Sequence, residues 1–142
     1  MSRHSDPNQL SLFGPGLDVV PAVKRAMHQA AKASPLSREQ ICDKMNELAS
    51  NHGVRLNGGN TQRLSTATLE KWLNPYAEHY PSVRALVVFC RVVDDLRPIQ
   101  ALCAPLGAQL VDERQAKLLE RAEIEAQIKA LQKKKKHIEA EL

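Results

Sequence analysis

The chain has 142 residues, 43% of them apolar but only 4% aromatic, and carries a formal net charge of +4. That length suits one ordinary domain plus something extended, and so few aromatics call for an aliphatic core between helices. No stretch approaches the roughly 18 apolar residues that span a bilayer, and the N-terminus has no apolar signal-peptide core; a cytoplasmic protein with no membrane partner is expected.

Residues 1–17 hold Pro7, Gly14, Pro15 and Gly16 with little periodicity and read as a flexible arm. Within it "QLSLF", formed by Gln9, Leu10, Ser11, Leu12 and Phe13, is similar to the short peptide by which bacterial replication and repair proteins dock on the DNA polymerase sliding clamp. That resemblance implies a glutamine that hydrogen-bonds and a Leu-Phe pair that fills an apolar pocket. The same residues also read as an apolar anchor that packs the arm onto its own domain or a neighbouring subunit.

From Asp18 the pattern turns helical, with Val20, Val23, Met27 and Ala30 or Ala31 three and four apart and Pro21 in the first turn. A second helix follows "SPLS", with Ser37 as N-cap and Gln40 completing a capping box. Ile41, Met45, Leu48 and Ala49 form its inner stripe, and Asn51 and Gly53 offer left-handed geometry to end it. In "VRLNGGNTQRL" the Gly58-Gly59 pair between two asparagines signals a turn, as a small hairpin or a plain loop. Next comes "RLSTATLEKWLNP", where Ser65 caps a third helix and Leu64 staples onto Leu69. Leu69, Trp72 and Leu73 face inward, and Pro75 stops the helix after Asn74.

A fourth helix is expected to start near Pro81. Its apolar positions Val83, Leu86, Val87, Phe89, Cys90 and Val93 cover much of the circumference, the pattern of a central core helix. Asp94 or Asp95 caps a fifth, which carries Ile99, Leu102 and Cys103 and ends before Pro105 and Gly107; "AQLV" reads as a short extended piece. From Asp112 to Leu142 there is neither glycine nor proline, so one helix of roughly 30 residues, on the order of 45 Å, is expected. Ile124, Ile128, Leu131, Ile138 and Leu142 lie on one heptad seam, and Lys135 fills the seam position they skip. The reading is a coiled coil that forms a homodimer or higher oligomer; the alternative is a helix folded back on its own domain. The "KKKK" run at 133–136 reads as a solvated face of that helix.

Three dispersed cysteines (Cys42, Cys90 and Cys103) each fall among apolar residues and read as buried thiols. The five histidines show no metal-ligand spacing. With no phosphate-binding glycine loop, nucleophile elbow or helical H-E-x-x-H, the expectation is no enzyme, no cofactor and no metal.

Helices two and three together have the make-up of a helix-turn-helix, a scaffold helix followed by a short capped helix with small or polar residues at its outward, N-terminal end. With Leu69, Trp72 and Leu73 inward, Ala67, Lys71 and Asn74 turn outward at about 100° per residue, flanked by Thr68 and Glu70. Small residues allow close approach to base edges, Lys71 can reach phosphate or guanine, and Asn74 can hydrogen-bond. The amides at Ser65 to Thr68 suit a phosphate. If the glycine-rich link is a hairpin, it becomes a wing whose Arg55 and Arg63 touch phosphates. That link is about a dozen residues, where a strict motif uses about three or four.

The run "LSREQICDKMNELA…LSTATLEKWLNP…YPSVRALVVFCRVVDDLRPIQALCAPLGAQLV" resembles the lambda-repressor-like helix-turn-helix proteins of temperate and transposable phages. The matching pieces are Leu36 to Met45, Ser65 to Trp72, Phe89-Cys90, and Leu102 through Gly107 to Leu110, within Asp18 to Val111. The resemblance implies a compact DNA-binding domain with a regulatory role in a phage or prophage, and gives the recognition role to Ser65, Thr66, Ala67, Thr68, Glu70 and Lys71.

The expected protein is therefore all-α: an arm over 1–17, a compact five-helix helix-turn-helix domain over 18–111, and a self-associating helix over 112–142. Its expected partner is double-stranded DNA, read as a transcriptional regulator. The rival expectations are a replication or transposition accessory that docks on the clamp through Gln9 to Phe13, and a protein–protein adaptor that binds no DNA.

Overall fold

The computed structural model describes residues 16–58 and 63–142. Among them are six α-helices, one 3-10 turn and no strand. The helices are α1 (Val20–Ala33), α2 (Arg38–Asn51), α3 (Thr66–Leu73), α4 (Val83–Val93), α5 (Arg97–Cys103) and α6 (Glu113–Glu141); the 3-10 turn is Ala104–Leu106. The chain divides into two compact units, the first closing at Gln109 and the second spanning Leu110–Leu142. The protein is thus all-helical with a long C-terminal helix. The peptide from Gln9 to Phe13 and the loop tip at 59–62 lie outside the described residues.

In the first unit α1 packs on α3 and α5, α2 packs on α3 and α4, and α4 packs on α5. The apolar stripes meet in one aliphatic core around Met27, Ile41, Met45, Leu69 and Phe89. Ser37 and Gln40 form the expected capping box, with Gln40 N donating to Ser37 Oγ at 3.1 Å and Ser37 N to Gln40 Oε1 at 2.9 Å. Asn51 is still helical and Gly53 alone turns left-handed, at φ 63°. The Val54 amide then returns to the Ala49 carbonyl at 2.8 Å, the Schellman closure that a residue without Cβ makes easily.

The structure sets the ends and faces of α4 and α5 more closely than the sequence does. Helix α4 begins at Val83, just after Pro81, because the Ser82 hydroxyl caps the Ala85 amide at 3.1 Å and Pro81 is buried just ahead of the cap. Of its apolar positions Leu86, Phe89, Cys90 and Val93 face the core, with Ala85 and Val88 beside them, whereas Val83 and Val87 are exposed. The apolar arc was read too broadly because valines carry no sign of which side the neighbouring helices occupy. Asp95 supplies the expected aspartate at the start of α5: Leu96, the residue next to the helix, makes no side-chain bond, but Asp95 Oδ1 accepts the Arg97 amide of the first turn at 2.9 Å. Asp94 ends α4 in the left-handed region at φ 53°, while Asp95 binds the Arg97 guanidinium at 2.7 Å. That contact holds the Asp95 carboxyl below the usual carboxylate range. The "AQLV" segment is irregular, neither helix nor strand.

A buried cation links α1 to the α3–α4 connection. Lys24 is only 1% exposed, and its ammonium donates to the carbonyls of Ala77 and His79. Burial lowers its pKa, but charge-assisted bonds to two backbone acceptors give the buried cation partners. The connection between α3 and α4 is therefore fastened to α1 from beneath.

In the second unit Asp112 and Gln115 form a capping box at the start of α6, and every residue of the helix is exposed. Pairs four residues apart brace its surface: Arg121–Glu125 at 3.7 Å and Lys135–Glu139 at 3.8 Å, worth only a few tenths of a kcal/mol each. Ile124, Ile128, Leu131 and Ile138 are between 47% and 65% exposed, and Leu142 fully so.

Lys24→Met keeps the buried stem and removes the ammonium, leaving the Ala77 and His79 carbonyls without their donor. We expect it to lower stability by roughly 2 kcal/mol, read by urea unfolding at neutral pH.

Candidate nucleic-acid interface

The eight residues of α3 split cleanly by environment. Leu69, Trp72 and Leu73 are buried. Ala67, Glu70, Lys71 and Asn74 are exposed, as is the cap Ser65, with Thr66 and Thr68 half-buried. Ser65 Oγ accepts from the Thr68 amide at 3.1 Å and donates to Thr68 Oγ1 at 2.9 Å, so both hydroxyls brace the first turn. At the other end Asn74 leaves the helix in an extended conformation. Its Oδ1 accepts from the Tyr76 amide at 3.0 Å, which fixes the side chain as the chain turns through Pro75.

The residue that positions this helix is one the sequence reading did not single out. Asn46, on the inner side of α2, is 8% exposed. Its Nδ2 donates to the Leu64 carbonyl at 2.9 Å and its Oδ1 accepts the Leu64 amide at 2.8 Å. One side-chain amide thus satisfies both backbone groups of the residue before the α3 cap. The Cys42 thiol, one turn earlier, also donates to the Leu64 carbonyl at 3.1 Å. Burial raises the pKa of this thiol and pushes that of Cys90 up to about 11, which keeps both protonated at neutral pH. A polar residue on the Cys42-Asn46-Ala49 stripe was the sequence signal for this contact. Leu56 and Leu64, both buried, sit on the two limbs of the long link and anchor each to the core.

Beside α3 lies a cleft of about 360 Å³ lined by His28, Arg38, Glu70, Lys71, Leu73, Asn74 and Pro75. It joins three of the expected contact residues to two that were missed, His28 from α1 and Arg38 from the first turn of α2. Their approach follows from helix crossing, which a one-dimensional pattern does not encode. Arg38 Nε lies 3.5 Å from Glu70 Oε1. Arg55 and Arg63 are both exposed, and neither lines this cleft. Where described, the limbs that carry them are irregular, with no strand.

Among the described residues no helix is long and apolar enough to cross a membrane, and no three His, Cys, Asp or Glu side chains gather where they could hold a metal ion. Comparison of the chain with protein-family models, curated proteins and solved structures returned no match.

Asn46→Ala takes the acceptor from the buried Leu64 amide and leaves the Leu64 carbonyl with the Cys42 thiol as its donor. The expected loss is about 2–3 kcal/mol in urea unfolding; a loss under about 0.5 kcal/mol would show that this contact does not hold the start of α3.

Proposed function

We propose that this chain is a cytoplasmic, sequence-specific double-stranded DNA-binding protein of the helix-turn-helix kind, a phage or prophage transcriptional regulator rather than an enzyme. The carrying observation is α3 itself: a capped helix with every large apolar side chain buried, while Ala67, Lys71 and Asn74 stand exposed along one face. Small residues near the start permit close approach to base edges, and Lys71 supplies the positive charge that phosphate or guanine requires.

The long link between α2 and α3 is compatible with this reading. A strict helix-turn-helix fixes its second helix with a short turn; here the Asn46 amide and the buried Leu56 and Leu64 hold it instead. Self-association through the apolar seam of α6 makes the protein a homodimer or higher oligomer. It can then present recognition helices to half-sites roughly 34 Å apart.

Two measurements test these proposals. Purified protein should enrich a palindromic site from random genomic fragments, and Thr68→Ala/Lys71→Ala should abolish the enrichment. With Lys71→Ala alone, loss of a phosphate contact should lower the salt slope by about one; unchanged affinity and specificity would remove Lys71 from the interface. Light scattering at several concentrations should give a dimer or larger, reduced to monomer by Ile128→Lys/Leu131→Lys. A wild-type monomer throughout would sink the self-association reading.

A further inference from the structure

The exposed face of α3 carries an acid where a surface meant only to attract phosphate would carry none. Glu70 is half-exposed, one turn past Ala67, with its carboxylate 3.5 Å from Arg38 Nε. Arg38 opens α2, and its side chain is 27% exposed. Its Nη1 is buried without a hydrogen-bond partner among the described residues. Such an atom is disfavoured in a folded protein and asks for an explanation. The ion pair does not supply one through stability, because partly exposed pairs of this kind contribute little. The contact does hold a flexible carboxylate on the side of α3 facing α2, and Glu70, its side chain 53% exposed, lines the same cleft as Lys71 and Asn74.

We infer that Glu70 is a base-reading residue that accepts a hydrogen bond from the exocyclic amino group of cytosine in the major groove, and that Arg38 is the residue that positions it. The assignment rests on the DNA-binding reading and deepens it by naming a C·G pair within each half-site. An ionised carboxylate only accepts hydrogen bonds. In the major groove cytosine presents an N4 amino donor alone, adenine sets its N6 donor beside an N7 acceptor that repels a carboxylate, and guanine and thymine offer acceptors. A carboxylate also repels phosphate, so it weakens binding to DNA at large while favouring one base, which is discrimination by repulsion as well as attraction. Ala67, small and one turn earlier on the same face, leaves room for the base edge to reach Glu70. Lys71, the next residue, offsets the repulsion from the backbone.

The test is selection of binding sites from random duplexes by the full chain, for wild type, Glu70→Gln, Arg38→Met and Arg38→Lys, at two salt concentrations. Circular dichroism melting confirms that each variant is folded. Wild type should select a C·G pair at one position per half-site. Glu70→Gln should lose that preference or move it toward adenine, which a Gln amide recognises in bidentate fashion, and should bind the original site roughly tenfold more weakly. Its affinity for unrelated DNA should rise, with the salt slope unchanged. Arg38→Met and Arg38→Lys should blur the preference at the same position alone, a change that a purely structural role for Arg38 would not produce. If wild type selects a site and Glu70→Gln leaves its base profile intact, the assignment is wrong while the DNA-binding reading stands. If wild type selects no sequence, both fall together.

Discussion

Both backbone groups of Leu64 are held by one side-chain amide, and the orientation of α3 depends on that pairing. A link of about a dozen residues between two helices leaves the second free to take many positions. Asn46 removes that freedom at its last step, presenting a donor and an acceptor in the spacing that a neighbouring strand would offer. The Leu64 side chain enters the same core as Leu69, Ser65 begins the cap, and the helix that follows is left with Leu69, Trp72 and Leu73 inward. Burying a polar amide is unfavourable unless its hydrogen bonds are made. Here the cost is offset because the amide relieves two buried backbone groups at once.

The other end of α3 is held by a different device. Asn74 turns the chain out of the helix, and the Lys24 ammonium beneath the connection donates to the carbonyls of Ala77 and His79. An amide at the start and a cation after the end make α3 a short rigid bar, although eight residues alone would not remain helical in water. Rigidity of this kind suits a surface that must present its side chains to a partner without paying for order at the moment of contact.

What could be read from the sequence was what is decided within a turn or two of chain. The capping box at Ser37, the cap at Ser65 and the inward stripe of α3 depend on neighbours three and four residues away, and spacing reveals these. The same logic applied to Ser82 would have placed the start of α4 correctly, but Pro81 drew attention to itself as a helix opener. Asn46 stood out as a polar residue on an apolar stripe, but Lys24 and Arg38 were out of reach for another reason. Each is of a residue type usually found in water, and each is buried or partly buried only because a distant segment brings it a partner or a neighbour. Val83 and Val87 were misplaced by the converse error, since apolar side chains on a helix do not announce which side the rest of the molecule will occupy. In the candidate site, the face of α3 was legible residue by residue, while the cleft beside it was not, because His28 and Arg38 come from two other helices.

The two polar tethers also differ in how much chain each encloses. Asn46 and Leu64 are 18 residues apart, Lys24 and Ala77 are 53 apart, and closing the longer loop costs about 1 kcal/mol more in chain entropy. The pairing of α2 with α3 is thus the more local assembly, able to form before α1 closes over the connection and to outlast it when the domain opens. Lifting α1 away would release the segment after Asn74 while Ser65 and the first turn of α3 remained fastened to α2. The end of α3 that carries the smallest exposed side chains would be the last to lose its place.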